Sequence, residues 1–358
     1  MSYQLTSKLY LPLIFIAVFG FGLLFHPFTI EKDIGANAYL TLGAGFTVAV
    51  IGIWFVKELI ARYPGQTVLD WGRNLLGTGG WIGSVLLLLT LLIFSVLAVR
   101  RVTELIGTSI LFLTPEWANI LAYTITIAYM ALLGEEAIGR LCSIFIGLAV
   151  LFSLNLILGV NRIYFDHVHP AAILCDLGYL KYWWVGIPGF IPALLILSFM
   201  RNKDVAKTVP GILLSTLLGA LILGFISYEI VGIFGPDGVK RYPRAVVAFM
   251  GTVHLASEYF FQSIVVTIYL FIFTALSLTV STIILRIFAS GVIDFFTIRN
   301  SRWVIPGLAL LIYFGSLLPN LLFFNQYNNP LLIGCSLFII AYLCLLWVVS
   351  RFQGQRCP

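Results

Sequence analysis

Charge is scarce in this sequence. Only 10% of its 358 residues are Asp, Glu, Lys or Arg, against about 25% in an ordinary soluble domain. Polar stretches are short as well, and none is long enough to form a separate soluble domain. The five cysteines, Cys142, Cys175, Cys335, Cys344 and Cys357, form no CxxC pair and read as packing residues, not metal ligands. No P-loop, HExxH or nucleophile elbow occurs, so nothing indicates an enzyme, and no cofactor is expected. The N-terminus lacks an early basic stretch and a small-residue cleavage site, so no cleavable signal is expected.

What the chain has in place of charge is apolar length. Sixty per cent of it is hydrophobic, and the mean hydropathy is +1.03. This is the composition of a multi-spanning, all-α integral membrane protein. Ten spans are expected, at 9–30, 38–61, 80–113, 117–134, 137–160, 183–200, 209–234, 246–290, 303–324 and 331–350. Between the second and third, "RYPGQTVLDWGRNLLG" carries a helix stop at Pro64–Gly65. Val68, Trp71 and Leu75 then share one face of a short helix expected to lie on the membrane surface. The net charge of +6 would suggest nucleic acid in a soluble protein; here it sets orientation, and no nucleic acid partner is expected. Loops on the N-terminal side hold Lys57, Arg62, Arg73, Arg140, Arg201, Lys203, Lys207 and Arg351 among others. They outweigh Lys32, Arg162, Lys181, Lys240, Arg241 and Arg244 on the other side, which places both termini in the cytoplasm.

Two spans are crowded with helix breakers. The first carries Gly20, Gly22 and Pro27; the sixth opens "WWVGIPGFIPALLILSF", with Gly186, Pro188, Gly189 and Pro192. Interrupted segments at matching places in two halves point to an inverted-repeat transporter fold. Five plus five spans, repeat one about 9–160 and repeat two about 183–350, give a single LeuT-type domain with broken helices 1 and 6. An unwound helix exposes backbone amides and carbonyls that are tolerated only where they line a cavity. Close helix packing is the alternative use of the same glycines.

The chain resembles the spore germination permeases, the membrane B subunits of endospore germinant receptors, in the amino acid–polyamine–organocation superfamily. The resemblance is carried by "RYPGQTVLDWGRNLLG", by "RRVTELIGTSILFLTPEW" at the end of span 3, by "GEEAIGRLCSIF" entering span 5, and by "RNSRWVIPGLALLIYFGSLLPN" at span 9. It departs from the family in span 6, which has no acidic residue, and in "HLASEYFFQS" entering span 8, which keeps Glu258 but has no Arg. The resemblance implies a subunit that binds a small nutrient germinant, often an amino acid. It implies association with an A subunit and a lipoprotein C subunit in the inner membrane of the spore. The alternatives are a secondary amino-acid or amine transporter of the same fold, and a scaffold with an empty site.

The candidate ligand-binding residues follow from the broken helices. Phe19, Gly20, Phe21 and Gly22 are expected to offer free amides to a carboxylate, with Gly186, Gly189, Phe190 and Ala193 as their symmetry mates. Val96 and Arg100 complete the expected lining. Arg100 and Glu104 are four apart on span 3 and are expected to pair; with Glu258 and Gln262 on span 8 they form a candidate intramembrane polar or coupling set.

Overall fold

A computed structural model describes residues 7–29, 38–109, 111, 113–159, 163–164, 167, 183–199, 205–241, 259–298, 301–318 and 330–354. Among these, the regular elements are helical: α1 (Ser7–Thr29), α2 (Ala38–Arg62), α3 (Val68–Leu76), α4 (Thr78–Ser109), α5 (Glu116–Leu132), α6 (Glu135–Gly159), α7 (Ile191–Phe199), α8 (Val205–Arg241, kinked at Gly235, where φ is 72°), α9 (Tyr259–Phe296), α10 (Val304–Ser316) and α11 (Pro330–Gly354). A 3-10 turn, Pro188–Phe190, feeds directly into α7, and a second, Ser301–Trp303, feeds into α10. Each of the ten expected runs holds one of these helices, with α3 as the additional short element.

Apolar runs become helices because a chain in lipid must satisfy its backbone hydrogen bonds internally. Five stretches are long and apolar enough to cross a membrane: Tyr39–Arg62, Thr78–Thr108, Thr208–Gly235, Thr267–Phe296 and Leu331–Gln353. The pair α5–α6, bent by 114° at its junction, raises the number to six if it counts as one span. Gly134 makes that junction with a φ of 92°, a backbone state that costs little only without a Cβ. The protein is therefore an integral membrane protein, although five to six helices meet the spanning criterion among the described residues, not ten.

Helix α1 forms the axis. Residues 13–25 are buried on every side, enclosed by α8, α6, α9, α7 and the first 3-10 turn. Helices α1 and α8 run parallel and interlock. A Cβ on Gly211 would lie 2.7 Å from Leu11, one on Gly219 3.0 Å from Val18, and one on Gly22 2.2 Å from Leu223. Small residues facing large ones are how membrane helices gain contact when lipid supplies no hydrophobic drive.

The short helix α3 begins at a capping box: the Thr67 amide and hydroxyl both donate to Asp70 Oδ2, at 2.9 and 3.1 Å. Its apolar face does not lie against lipid, as the sequence suggested. Val68, Leu69, Trp71 and Leu75 are buried, because glycines let α4 and α11 reach this face. A Cβ on Gly80 would sit 1.8 Å from the Gly72 carbonyl, and one on Gly83 2.4 Å from the Tyr342 ring. Arg73 closes the far end by donating to the Phe295 carbonyl at 2.7 Å. Where α2 ends, Glu58 accepts from Trp347 Nε1 at 2.9 Å and from Arg351 at 2.5 Å, tying α2 to α11.

Candidate functional site

The two breaker-rich segments meet. A Cβ on Gly189 would lie 3.4 Å from Gly22 Cα, so α1 and the 3-10 turn touch backbone to backbone there. Gly186 is tighter still: its added Cβ would fall 2.0 Å from the Thr41 carbonyl, while one on Gly45 would fall 2.3 Å from the Gly186 carbonyl. Phe19, Phe21, Phe190 and Ala193 surround this crossing, each no more than 1% exposed. Phe21 stacks edge-on to Phe94, centroids 5.6 Å apart, and Phe190 faces Phe46 at 6.4 Å.

The two segments differ in conformation. Helix α1 is unbroken from Ser7 to Thr29, so the expected unwinding at Gly20–Gly22 is absent. The amides there belong to a regular helix and are not free for a carboxylate. The physical reason lies in the neighbours. A Cβ on Gly20 would meet Val280 at 2.5 Å, and one on Gly22 would meet Leu223 at 2.2 Å, so both glycines serve close helix approach. The second segment is irregular as expected: residues 183–186 and 188–190 form 3-10 turns before α7 begins. Pro188 and Pro192 lack the amides an α-helix would need there.

The expected lining separates into two places. Val96 and Arg100 face α10 and α5, away from the glycine crossing. A Cβ on Gly315 would touch Val96 at 2.9 Å, and Ser316 Oγ donates to the Val96 carbonyl at 3.4 Å. Arg100 pairs with Glu116, not with Glu104 as the spacing suggested, and donates to the Ser316 carbonyl at 3.4 Å. Its charge thus sits at the N-terminus of α5 beside an acid, and at the C-terminus of α10, where a cation is favoured. Glu104 is partly exposed one turn farther along α4. Glu258 and the side chain of Gln262 lie outside the described residues.

These observations describe a helical membrane bundle closed around a glycine crossing. A family model for spore germination proteins matches residues 4–323. The chain belongs to that family. The chain also shares its fold with a solved structure, that of MhsT in complex with L-phenylalanine: the TM-score is 0.69 at 14% identity, over 97% of this chain and 88% of that one. At that identity the likeness is one of fold, of the LeuT transporter type. Curated proteins give no match. Family and fold together make this chain permease-like in type.

Two buried polar residues of the chain escape sequence reading. Ser277 on α9 is buried, and its hydroxyl finds no hydrogen-bond partner among the described residues. It adjoins Leu276, whose carbonyl stands 3.4 Å from a Cβ built on Gly20. The signal was the polar run Ser277, Thr279, Ser281 and Thr282 in an apolar helix. Thr279 and Thr282 bond back to carbonyls four residues earlier, and Ser281 meets the Tyr123 hydroxyl at 3.1 Å; Ser277 does neither. The second is Glu229, the lone acid in "GFISYEIVGIF", fully buried on α8.

Proposed function

We propose that this protein is the nutrient-sensing membrane subunit of a spore germinant receptor, taking a small molecule, an amino acid, at the crossing of α1 with the Pro188–Phe190 turn. The observation that carries this reading is the backbone contact of Gly22 with Gly189, inside a fold shared with a protein solved with a bound amino acid. Two backbones that touch through glycines can part without breaking side-chain interdigitation at that point. The described conformation is then the closed one, filled by Phe19, Phe21 and Phe190. A bound amino acid requires α1 and the turn to separate, exposing backbone groups to its ammonium and carboxylate.

In this reading the chain spans the membrane ten times as two inverted five-helix repeats, about 9–160 and 183–350, with both termini cytoplasmic. It resides in the inner membrane of the spore with an A subunit and a lipoprotein C subunit. The apolar α7 suits a germinant with a modest, partly apolar side chain. A thermal-shift screen of the twenty amino acids on the purified protein tests this, followed by germination dose–response in spores. A stabilising amino acid that also triggers germination supports the reading; stabilisation by none of them removes it. The fold likeness favours a second reading, secondary transport of an amino acid. Uptake of the stabilising amino acid by proteoliposomes carrying this protein alone would favour transport over sensing.

A further inference from the structure

Among the described residues, Glu229 is the one Asp, Glu, Lys or Arg that is buried, with 0% exposure. Neither carboxylate oxygen has a hydrogen-bond partner among the described residues. It lies inside the apolar span Thr208–Gly235. A bare carboxylate at such a place is strongly destabilising. Protonation or a cationic partner would relieve it, and the two are told apart by whether added cations stabilise the fold.

Its position along α8 is well fixed. Leu223 meets Gly22 of α1; Glu229 stands six residues farther (229 − 223), roughly 9 Å along the helix axis. Beside it, Tyr228 packs edge-on against Tyr39 of α2, centroids 5.4 Å apart. One turn beyond, the Gly232 carbonyl bonds the Tyr164 amide and His167 Nδ1, both at 3.0 Å. The carboxylate is thus enclosed at the end of α8 that leads away from the cytoplasmic Arg62–Glu58–Arg351 cluster, beyond the glycine crossing.

The geometry points to Glu229 as the anionic ligand of a small monovalent cationic group, either an alkali ion or a primary ammonium. Such a group neutralises the carboxylate and gives both unpaired oxygens charge-assisted contacts. Complete burial excludes a bulky quaternary ammonium. The alkali-ion source is independent of the germinant reading; the ammonium source rests on it, as the amine end of the sensed molecule.

The test is thermal unfolding of the full-length protein, in detergent, in choline, sodium, potassium or methylammonium chloride at equal ionic strength. The midpoint of the wild type is expected to rise, saturably, in at least one small-cation salt over choline. Glu229→Gln is expected to lose that rise or to need about tenfold more cation for half-saturation. Glu229→Asp is expected to keep it. A rise with sodium or potassium assigns the alkali ion; a rise with methylammonium alone assigns an ammonium group. Identical wild-type midpoints in all four salts, or a rise that survives in Glu229→Gln, overturns the proposal. Should Glu229→Gln fail to fold, the wild-type comparison and Glu229→Asp still decide. The amino-acid screen is run on the wild type in choline chloride, so its failure is read separately.

Discussion

Gly20–Gly22 and Gly186–Gly189 looked alike in the sequence, and the structure treats them differently. The first pair sits in a continuous helix and faces the side chains of Val280 and Leu223. The second sits in 3-10 turns and faces backbone, at Thr41 and at Gly22. The difference is proline. Pro188 and Pro192 flank Gly189 and remove amides within the segment itself, whereas Pro27 lies two residues before the end of α1. Gly20 and Gly22, clear of any proline by several residues, mark where α1 touches its neighbours; Gly189, set between Pro188 and Pro192, lies where the chain has not yet become an α-helix.

The comparison can be broken first at Gly186. Gly186→Ala sets a Cβ 2.0 Å from the Thr41 carbonyl, which cannot rotate away. A loss above about 3 kcal/mol is expected, at the upper end of overpacking, seen as loss of folded subunit on an immunoblot of the membranes. Gly22→Ala is the milder counterpart, since its clash is with the tip of Leu223. A cost of about 1–2 kcal/mol is expected, after a gain of up to about 1 kcal/mol in helix propensity. Adding Leu223→Ala should cost less than the two single changes summed, measured by thermal denaturation of all four proteins. A purely additive result would mean that Gly22 is kept for something other than this contact.

Arg100 gives the next effect. Arg100→Ala removes the partner of Glu116 and of the Ser316 carbonyl together, and about 1–3 kcal/mol is expected. Glu116→Gln should cost less, because Glu116 is half exposed, at 52%, while Arg100 is not. Equal losses would argue that the ion pair outweighs the α10 contact. The smallest effect is expected at Gly43, where an added Cβ meets nothing within 4 Å. Gly43→Ala should be neutral or stabilising by up to about 1 kcal/mol in the same denaturation assay.

The order of the helices was legible because lipid allows few alternatives: long apolar runs punctuated by Pro64–Gly65 or Gly134 become helices that end there. The site was legible only in part. Gly22 and Gly189 do meet, but whether α1 unwinds between its neighbours depends on what packs against it, and Val280 and Leu223 lie more than 190 residues away in the chain. The Arg100–Glu116 pair was missed for a similar reason. The i,i+4 spacing to Glu104 is local and visible, whereas the link to Glu116 requires knowing how the chain turns after Ser109. Glu229 was visible as the lone acid of an apolar run, but its burial was not, because that depends on which neighbours pack against α8.

The contacts of Leu11 with Gly211, Val18 with Gly219 and Gly22 with Leu223 work like teeth cut on two parallel shafts. Leu11 and Val18 project from α1 into notches on α8, and Leu223 projects the other way. Sliding one shaft by a single turn would carry Val18 off its notch and set it level with Leu223 or Ser215, and would drive Leu223 out of the gap at Gly22. The pair is therefore keyed against axial slip. Any opening of the molecule must carry α1 and α8 together as one rod, with the Pro188–Phe190 turn as the part that yields.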